Sequence, residues 1–197
     1  MLHSSFFSQS CYLIFFFLIT IAPLGTSCST ILSGISNDII DQTCEKCANQ
    51  SIILSYSLCS TSLQAIPVSH ATNLQGLALI ALELALQNAT DTLSRIQVLL
   101  NSTDFDNFAL ACLKDCFQLY TDAAWTIAHS LGAFLSENYE ITKTWTSGVM
   151  ETAATCQEGF GEKKGGVSPL TKENYNLFQL CGIALCIIHM FTLAVPS

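Results

Sequence analysis

The chain has 197 residues, of which 50% are hydrophobic and only 11% are charged. This length suffices for one domain with a substantial core. Seven basic and fifteen acidic residues give a formal net charge of −8, which argues against nucleic acid and anionic membrane surfaces as partners. Such a charge suits a protein partner with a basic or mixed-charge surface.

The N-terminal segment 1–27 contains no Asp, Glu, Lys or Arg and includes the apolar run 11–19. This run has the length of a signal-peptide core and is short for a membrane-spanning helix. Small residues at 25–27 supply a candidate cleavage region, although the usual basic residues before the run are missing. We therefore predict a signal peptide at 1–27, a flexible connection at 28–36, and secretion of the remaining chain.

Two further features agree with an extracellular location. The ten cysteines indicate disulfides, because disulfides form and persist in oxidising compartments. Tripeptides with the N-glycosylation pattern begin at Asn49, Asn88 and Asn101. We take these three asparagines as candidate glycosylation sites of a secreted protein.

The first part of the predicted domain contains two short helical segments. Asn37 is expected to cap a helix that reaches about Gln50, and the second helix carries Cys59. Helices this short are marginally stable alone, so a disulfide from Cys44 to Cys59 would stabilise the pair. The sequence thus predicts a disulfide-linked helical hairpin over 37–66.

Four longer helical patterns follow within 69–195, and no stretch shows the sustained alternation expected of strands. The second pattern, at about 104–135, has apolar residues in steps of three or four: Ala109, Cys112, Cys116, Leu119, Ala123, Ile127, Leu131 and Phe134. The apolar face predicted for the third pattern is Ile141, Trp145, Val149, Thr152, Cys156 and Phe160. Glycines at 159, 161, 165 and 166 are expected to end it. Cys156 is the candidate partner of Cys116, and the fold class is all-α, an up-and-down four-helix bundle.

The last segment, 177–195, is uncharged and apolar on nearly every face. It is long enough to span a bilayer, and the small residues near 165–166 with a polar spacer also resemble a lipid-anchor signal. A buried bundle helix is the third interpretation and the one we prefer. Membrane association is therefore not the expected behaviour of this chain.

The sequence contains no recognisable catalytic motif, and we predict no catalytic residues, no cofactor and no metal site. Cys44 and Cys47 form a CxxC pair, and Cys112 with Cys116 could supply a second pair for zinc. We expect neither a redox-active CxxC motif nor a zinc site here, because an oxidising compartment favours disulfides over free thiolates. The pairing of the other cysteines stays open, and these are Cys28, Cys47, Cys112, Cys181 and Cys186.

Over roughly residues 36 to 190 the chain resembles the plant invertase/pectin methylesterase inhibitors, most closely their pollen-allergen branch assigned to invertase inhibition. The resemblance is carried by Cys44, Tyr56-Ser57-Leu58-Cys59, Asn73-Leu74-Gln75-Gly76-Leu77, the segment Lys114 to Ala123, Thr155-Cys156-Gln157-Glu158-Gly159-Phe160, Lys163-Lys164-Gly165 and the segment Ser168 to Asn174. The order and spacing of these groups are more specific than any one of them. The match at Ser168 to Asn174 is the start of the family's last helix, which favours the bundle-helix interpretation of the tail.

This resemblance implies a helical hairpin packed on a four-helix bundle, with disulfides Cys44–Cys59 and Cys116–Cys156. It also implies a non-enzymatic protein of the plant apoplast that covers the active site of pectin methylesterase or invertase. Some invertase inhibitors insert a Pro-Lys-Phe tripeptide from the turn before the third long helix, whereas that turn here is Ser136-Glu137-Asn138-Tyr139-Glu140. Two alternatives stay open: a helical protein without inhibitory activity, and a carrier of small apolar ligands.

Overall fold

A computed structural model describes residues 38–194, and the regular elements in this range are helices. They are α1 (Ile39–Gln50), α2 (Tyr56–Gln64), a 3-10 helix (Pro67–Ala71), α3 (Leu74–Leu100), α4 (Asn107–Leu135), α5 (Tyr139–Gly161) and α6 (Thr171–Ala194). The predicted all-α class, with a short hairpin before four long helices, is confirmed. The predicted signal peptide, the connection at 28–36 and Cys28 lie outside the described residues.

Side-chain caps explain where four of the helices begin. The side-chain oxygens of Asp38, Ser55, Asn73 and Asp106 each accept a hydrogen bond from a backbone N–H in the first turn of the following helix. Such bonds satisfy amides that lack a partner within the helix. The cap of α1 is Asp38 rather than Asn37, so this boundary was predicted one residue too early.

The helical hairpin is held together by one covalent link and one polar cluster. Cys44 on α1 is disulfide-bonded to Cys59 on α2, with their Cα atoms 5.6 Å apart. Near this bridge, Oδ1 of Asp41 accepts hydrogen bonds from Ser60 Oγ at 3.2 Å and Gln64 Nε2 at 3.1 Å. These links fix two helices that are too short to be stable in isolation.

The four long helices form an up-and-down bundle in which α3 packs on α4 and α6, and α5 packs on the same two helices. Their interior is filled by apolar side chains that are almost completely buried, among them Leu77, Ile96, Ile127 and Leu177. A disulfide between Cys116 and Cys156 joins α4 to α5 within this core. A second cluster of buried apolar side chains joins the hairpin to α3 and α6.

Helix α6 contributes to the core along most of its length, as the bundle-helix interpretation predicts. Cys181, Ala184 and Ile188 are all fully buried. Buried Gln179 accepts from Ser55 N at 2.8 Å through Oε1 and donates through Nε2 to the Ile53 carbonyl at 2.6 Å, which fixes the loop before α2. By length and composition, Thr171–Leu193 in the described range could also cross a membrane, and 50% of its most apolar window is buried.

The predicted apolar face of α5 is wrong in its first half. Ile141 and Trp145 are 44% and 40% exposed, whereas Thr142 and Thr146 are fully buried. The two threonines are small enough to let α5 approach α4 closely, and Thr142 Oγ1 satisfies its hydroxyl by donating to the Asn138 carbonyl at 3.1 Å. The Thr146 hydroxyl is buried without a hydrogen-bond partner, so burial in this part of the seam is decided by side-chain size rather than by hydrophobicity.

Two helix ends also differ from the prediction. The pattern from Ser69 onward is interrupted, because the 3-10 helix occupies Pro67–Ala71 and α3 begins only at Leu74. At the other end of the bundle, α5 continues through Gly159 and ends at Gly161, so the first glycine does not terminate it. The chain turns later, at Gly165, where a φ of 79° favours glycine.

Candidate partner-binding surface

The cysteines within residues 38–194 occupy structural positions and leave little reactive thiol at the surface of this range. Besides the two pairs that the resemblance implies, the structure has a third disulfide, Cys47–Cys186, which links α1 to the second half of α6. Cys112 and Cys181 are free and buried. Burial raises the pKa of the Cys112 thiol and raises that of Cys181 to about 12, so both disfavour the nucleophilic thiolate.

Metal and redox chemistry find no support in the described part of the chain. No group of three or more His, Cys, Asp or Glu side chains within residues 38–194 is placed to hold a metal ion. Cys44 and Cys47 bind different partners, Cys59 and Cys186, so they do not act as a CxxC pair. Cys112 is not paired with Cys116, whose partner is Cys156.

The three candidate glycosylation sites lie in different environments. Asn49, in the last turn of α1, is exposed. Asn101, which directly follows the last residue of α3, is exposed as well. Asn88 lies in the middle of α3 and is half-buried, and its Oδ1 atom is buried without a hydrogen-bond partner. The structure therefore separates three sites that look equivalent in the sequence.

Several residues that carry the family resemblance form a polar network inside the bundle. Fully buried Tyr120 on α4 donates its hydroxyl to Oδ1 of Asn174 on α6 at 2.8 Å. Asn174 in turn donates through Nδ2 to Oε1 of Gln157 on α5 at 2.9 Å. Burial raises the pKa of the Tyr120 phenol, so this group stays protonated and acts as a donor. These residues connect three helices and are structural.

The surface most suited to a protein partner lies where α4 and α5 approach their shared turn. We define the α4–α5 surface as Trp125, His129, Ile141 and Trp145 together with the turn 136–138. Both tryptophans of the chain are here, and Trp125 is 67% exposed. Exposed tryptophans are characteristic of the centres of protein interfaces rather than of ordinary solvated surface.

The side chains of this surface are held in place by one another. The ring centroids of Trp125 and His129 lie 3.6 Å apart, and those of His129 and Trp145 lie 6.4 Å apart in an edge-to-face arrangement. His129 Nδ1 is 2.8 Å from the Trp125 carbonyl oxygen, so the protonated nitrogen donates to that oxygen. This stack orients both indoles before any partner arrives.

A shallow groove of about 450 Å³ runs beside the stack, between the two helices. Its lining combines apolar and small side chains with the polar turn: Ala128, His129, Gly132, Ala133, Ser136, Asn138, Ile141 and Trp145. Small residues on α4 leave the groove open, while Trp145 and Ile141 form its wall on α5. A projecting apolar side chain of a partner would fit this shape.

The turn that closes the surface has a fixed backbone conformation. Asn138 N donates to the Ala133 carbonyl at 2.9 Å, and Glu137 N donates to the Phe134 carbonyl at 3.0 Å. This pair of bonds is the Schellman ending of a helix, and it requires the left-handed conformation seen at Glu137, whose φ is 61°. Glycine usually occupies that position, so glutamate here costs about 1 kcal/mol of backbone strain.

The aromatic rings beneath the turn support it from the core. Tyr139 contacts Phe134 and Phe191 edge to face, with centroid distances of 5.5 and 5.1 Å. Gln75 on α3 donates to the Tyr139 hydroxyl at 3.5 Å. The turn is thereby tied to three helices of the bundle and presents a rigid corner.

Sequence reasoning did not find this surface, because it placed Ile141 and Trp145 in the core. The signal that could have found it lies in the second half of α5. The buried residues Cys156 and Val149 continue backwards in steps of seven to Thr142, and Phe160 and Ala153 continue in the same way to Thr146. Following that spacing places Ile141 and Trp145 outside the buried face of α5.

Comparison with known proteins gives a consistent family assignment. A sequence model of the family "Plant invertase/pectin methylesterase inhibitor" matches residues 38–187. A protein of Platanus acerifolia named "Putative invertase inhibitor" is 39% identical over 156 residues, which cover 79% of this chain and 87% of that protein. The "Cell wall / vacuolar inhibitor of fructosidase 2" of Arabidopsis thaliana is 29% identical over 175 residues, 87% of this chain and 92% of its own length.

A solved structure agrees with the architecture. The crystal structure of a mutant form of a pectin methylesterase inhibitor from Arabidopsis superimposes with a TM-score of 0.64, over 77% of this chain and 95% of that one. At 24% sequence identity this likeness concerns the fold alone.

Proposed function

The chain belongs to the plant invertase/pectin methylesterase inhibitor family, and on that basis we propose that it is a secreted protein inhibitor. It binds a plant pectin methylesterase or invertase and covers the active site of that enzyme. It is not itself an enzyme, in keeping with its family. Its location is the apoplast, an oxidising compartment in which the disulfides seen in the described part of the chain are stable.

The observation that carries the proposal beyond family membership is the α4–α5 surface. Here two exposed tryptophans and Ile141 surround a groove beside a rigid turn. Burying an indole in a partner's pocket removes a large apolar area from water, which makes tryptophan a frequent source of binding energy. We propose that this surface enters the rim of the enzyme's cleft.

Rigidity favours such a complex. The Trp125–His129 stack, the Schellman turn and the Cys116–Cys156 disulfide all restrict the surface in the unbound protein. Little side-chain and backbone freedom then remains to be lost on binding. The turn has no Pro-Lys-Phe tripeptide, so the adjoining aromatic side chains would provide the main apolar contacts instead.

The experiment combines inhibition titrations with variants of this surface. Purified oxidised protein is titrated against plant invertases and pectin methylesterases at the acidic pH of the cell wall. Trp125→Ala and Trp145→Ala should each weaken inhibition by about 30-fold, which corresponds to about 2 kcal/mol for an interface tryptophan. Their melting temperatures should stay close to wild type because both side chains are substantially exposed.

The matched control is Val98→Ala, which shortens a 71% exposed apolar side chain on α3 outside the proposed surface. It should inhibit as wild type does. If the tryptophan variants also inhibit like wild type, the α4–α5 surface is not the binding site. If the wild-type protein inhibits neither class of enzyme, the proposal of inhibition is wrong, and the carrier and non-inhibitory alternatives become the ones to test.

A further inference from the structure

The tripeptide that begins at Asn101 has the features of an accessible modification site. Asn101 follows the last residue of α3 and is exposed, and Ser102 and Thr103 continue into an irregular connection before α4. Its Nδ2 donates one hydrogen bond to the Gln97 carbonyl at 2.8 Å. An amide nitrogen linked to a sugar keeps one hydrogen, so this bond can persist after modification.

The tripeptide that begins at Asn88 has the opposite character. It lies within α3, where neighbouring Ala89 and Thr92 are buried against the rest of the bundle. Oδ1 of Asn88 is itself inaccessible to solvent, which directs part of this amide toward the packed interior. A bulky hydrophilic oligosaccharide on the same amide would have to reach solvent past the closely packed side chains beside α3.

We propose that Asn101 carries an N-linked oligosaccharide in the secreted protein and that Asn88 does not. In the transfer, C1 of a lipid-diphosphate-linked oligosaccharide forms a bond to Asn101 Nδ2. The bond from C1 to the diphosphate oxygen breaks, the lipid diphosphate leaves, and the amide nitrogen gives up one proton. Asn49 is also exposed, and the proposal makes no use of it.

The position of Asn101 keeps the oligosaccharide away from the proposed binding surface. Asn101 lies at the end of the bundle where α4 begins. Trp125 lies on α4, about 27 Å from the first residue of that helix at a rise of about 1.5 Å per residue. The turn 136–138 is at the far end of α4. The modified protein therefore leaves the α4–α5 surface uncovered, and binding should be unaffected by the oligosaccharide.

The test uses the full chain expressed in a eukaryotic secretory host, with mass measurement before and after enzymatic removal of N-glycans. Thr103→Ala destroys the tripeptide without touching Asn101, and Thr103→Ser is the matched control that preserves it. Thr90→Ala and Thr90→Ser form the corresponding pair for Asn88. Both threonines are exposed, so these changes test modification rather than folding.

The expected result is the loss of one oligosaccharide mass in Thr103→Ala, with Thr103→Ser and both Thr90 variants unchanged. Peptide mapping should find the deamidation mark of N-glycan removal at residue 101 and none at residue 88. An unmodified Asn101 in wild-type protein, or an oligosaccharide on Asn88, would overturn the proposal. Inhibition titrations of the same samples are a separate readout, so failure of the modification and failure of the proposed function are distinguishable.

Discussion

The disulfide between Cys47 and Cys186 leads to a specific prediction about stability. It joins residues 139 apart in sequence, whereas the other two bridges span 15 and 40 residues. A cross-link over so long a loop restricts the unfolded chain strongly, with a chain-entropy estimate of about 5 kcal/mol and a usual experimental range of about 2–5 kcal/mol. Its removal should therefore be among the most costly single changes in this protein.

The perturbation is the double replacement Cys47→Ser with Cys186→Ser, which leaves no new thiol to exchange with other bridges. Urea unfolding is followed by far-ultraviolet circular dichroism under non-reducing conditions. We expect the free energy of unfolding to fall by about 2–5 kcal/mol. The slope of the unfolding free energy against urea concentration should increase, because the unfolded chain exposes more surface once the cross-link is gone.

Cys181→Ala is the control, since it removes a buried free thiol and closes no loop. Its cost should be on the order of 1 kcal/mol, the usual effect of a single substitution. The reasoning would be refuted if the double variant were no less stable than this control while a thiol assay confirmed that wild type contains the bridge.

Three further predictions concern single side chains. Tyr120→Phe should lower the free energy of unfolding by about 1–3 kcal/mol in a urea titration, because it leaves Oδ1 of buried Asn174 without its donor. Glu137→Gly should raise it by up to about 1 kcal/mol, since glycine adopts the positive φ of the turn without strain; a loss of stability would contradict the strain. The Lys163 ammonium and the Ala109 N–H lower the pKa of the Asp106 carboxyl below 3.8, so its charge stabilises the fold above that pH. The difference in melting temperature between wild type and Asp106→Asn should therefore shrink as the pH falls through the lowered pKa, and a constant difference would exclude this ionic contribution.

The elements predicted well are those fixed by local chemistry. The hairpin and the four long helices were predicted from helical periodicity, and the side-chain caps that the structure adds at Asn73 and Asp106 also act within one turn. The face of α5 was predicted less well because Thr142 and Thr146 count as polar in a hydrophobic pattern, although both are small enough to be fully buried at the seam. Tertiary packing overrode the local signal at this seam.

The Cys47–Cys186 pairing was beyond the reach of the sequence for a different reason. Helical periodicity shows that a cysteine faces the interior, but it does not show which positions along two helices lie opposite each other. The position of α1 along α6 depends on how the hairpin packs on the bundle. The hydrogen bond between Gln179 and the loop at Ser55 helps to fix that packing. The α4–α5 surface proposed for binding was missed for a related reason, because exposure of Trp125 and Trp145 depends on which face each helix buries.

The most direct test of the central claim is a stoichiometric inhibition titration of the oxidised wild-type protein without residues 1–27. It is made in parallel against plant invertases and pectin methylesterases at acidic pH, with complex formation followed by size-exclusion chromatography. We expect the activity of one enzyme class to fall to a plateau at one inhibitor per enzyme, together with a co-migrating complex. Full activity of both classes at a large excess of folded inhibitor, with no complex detected, would contradict it.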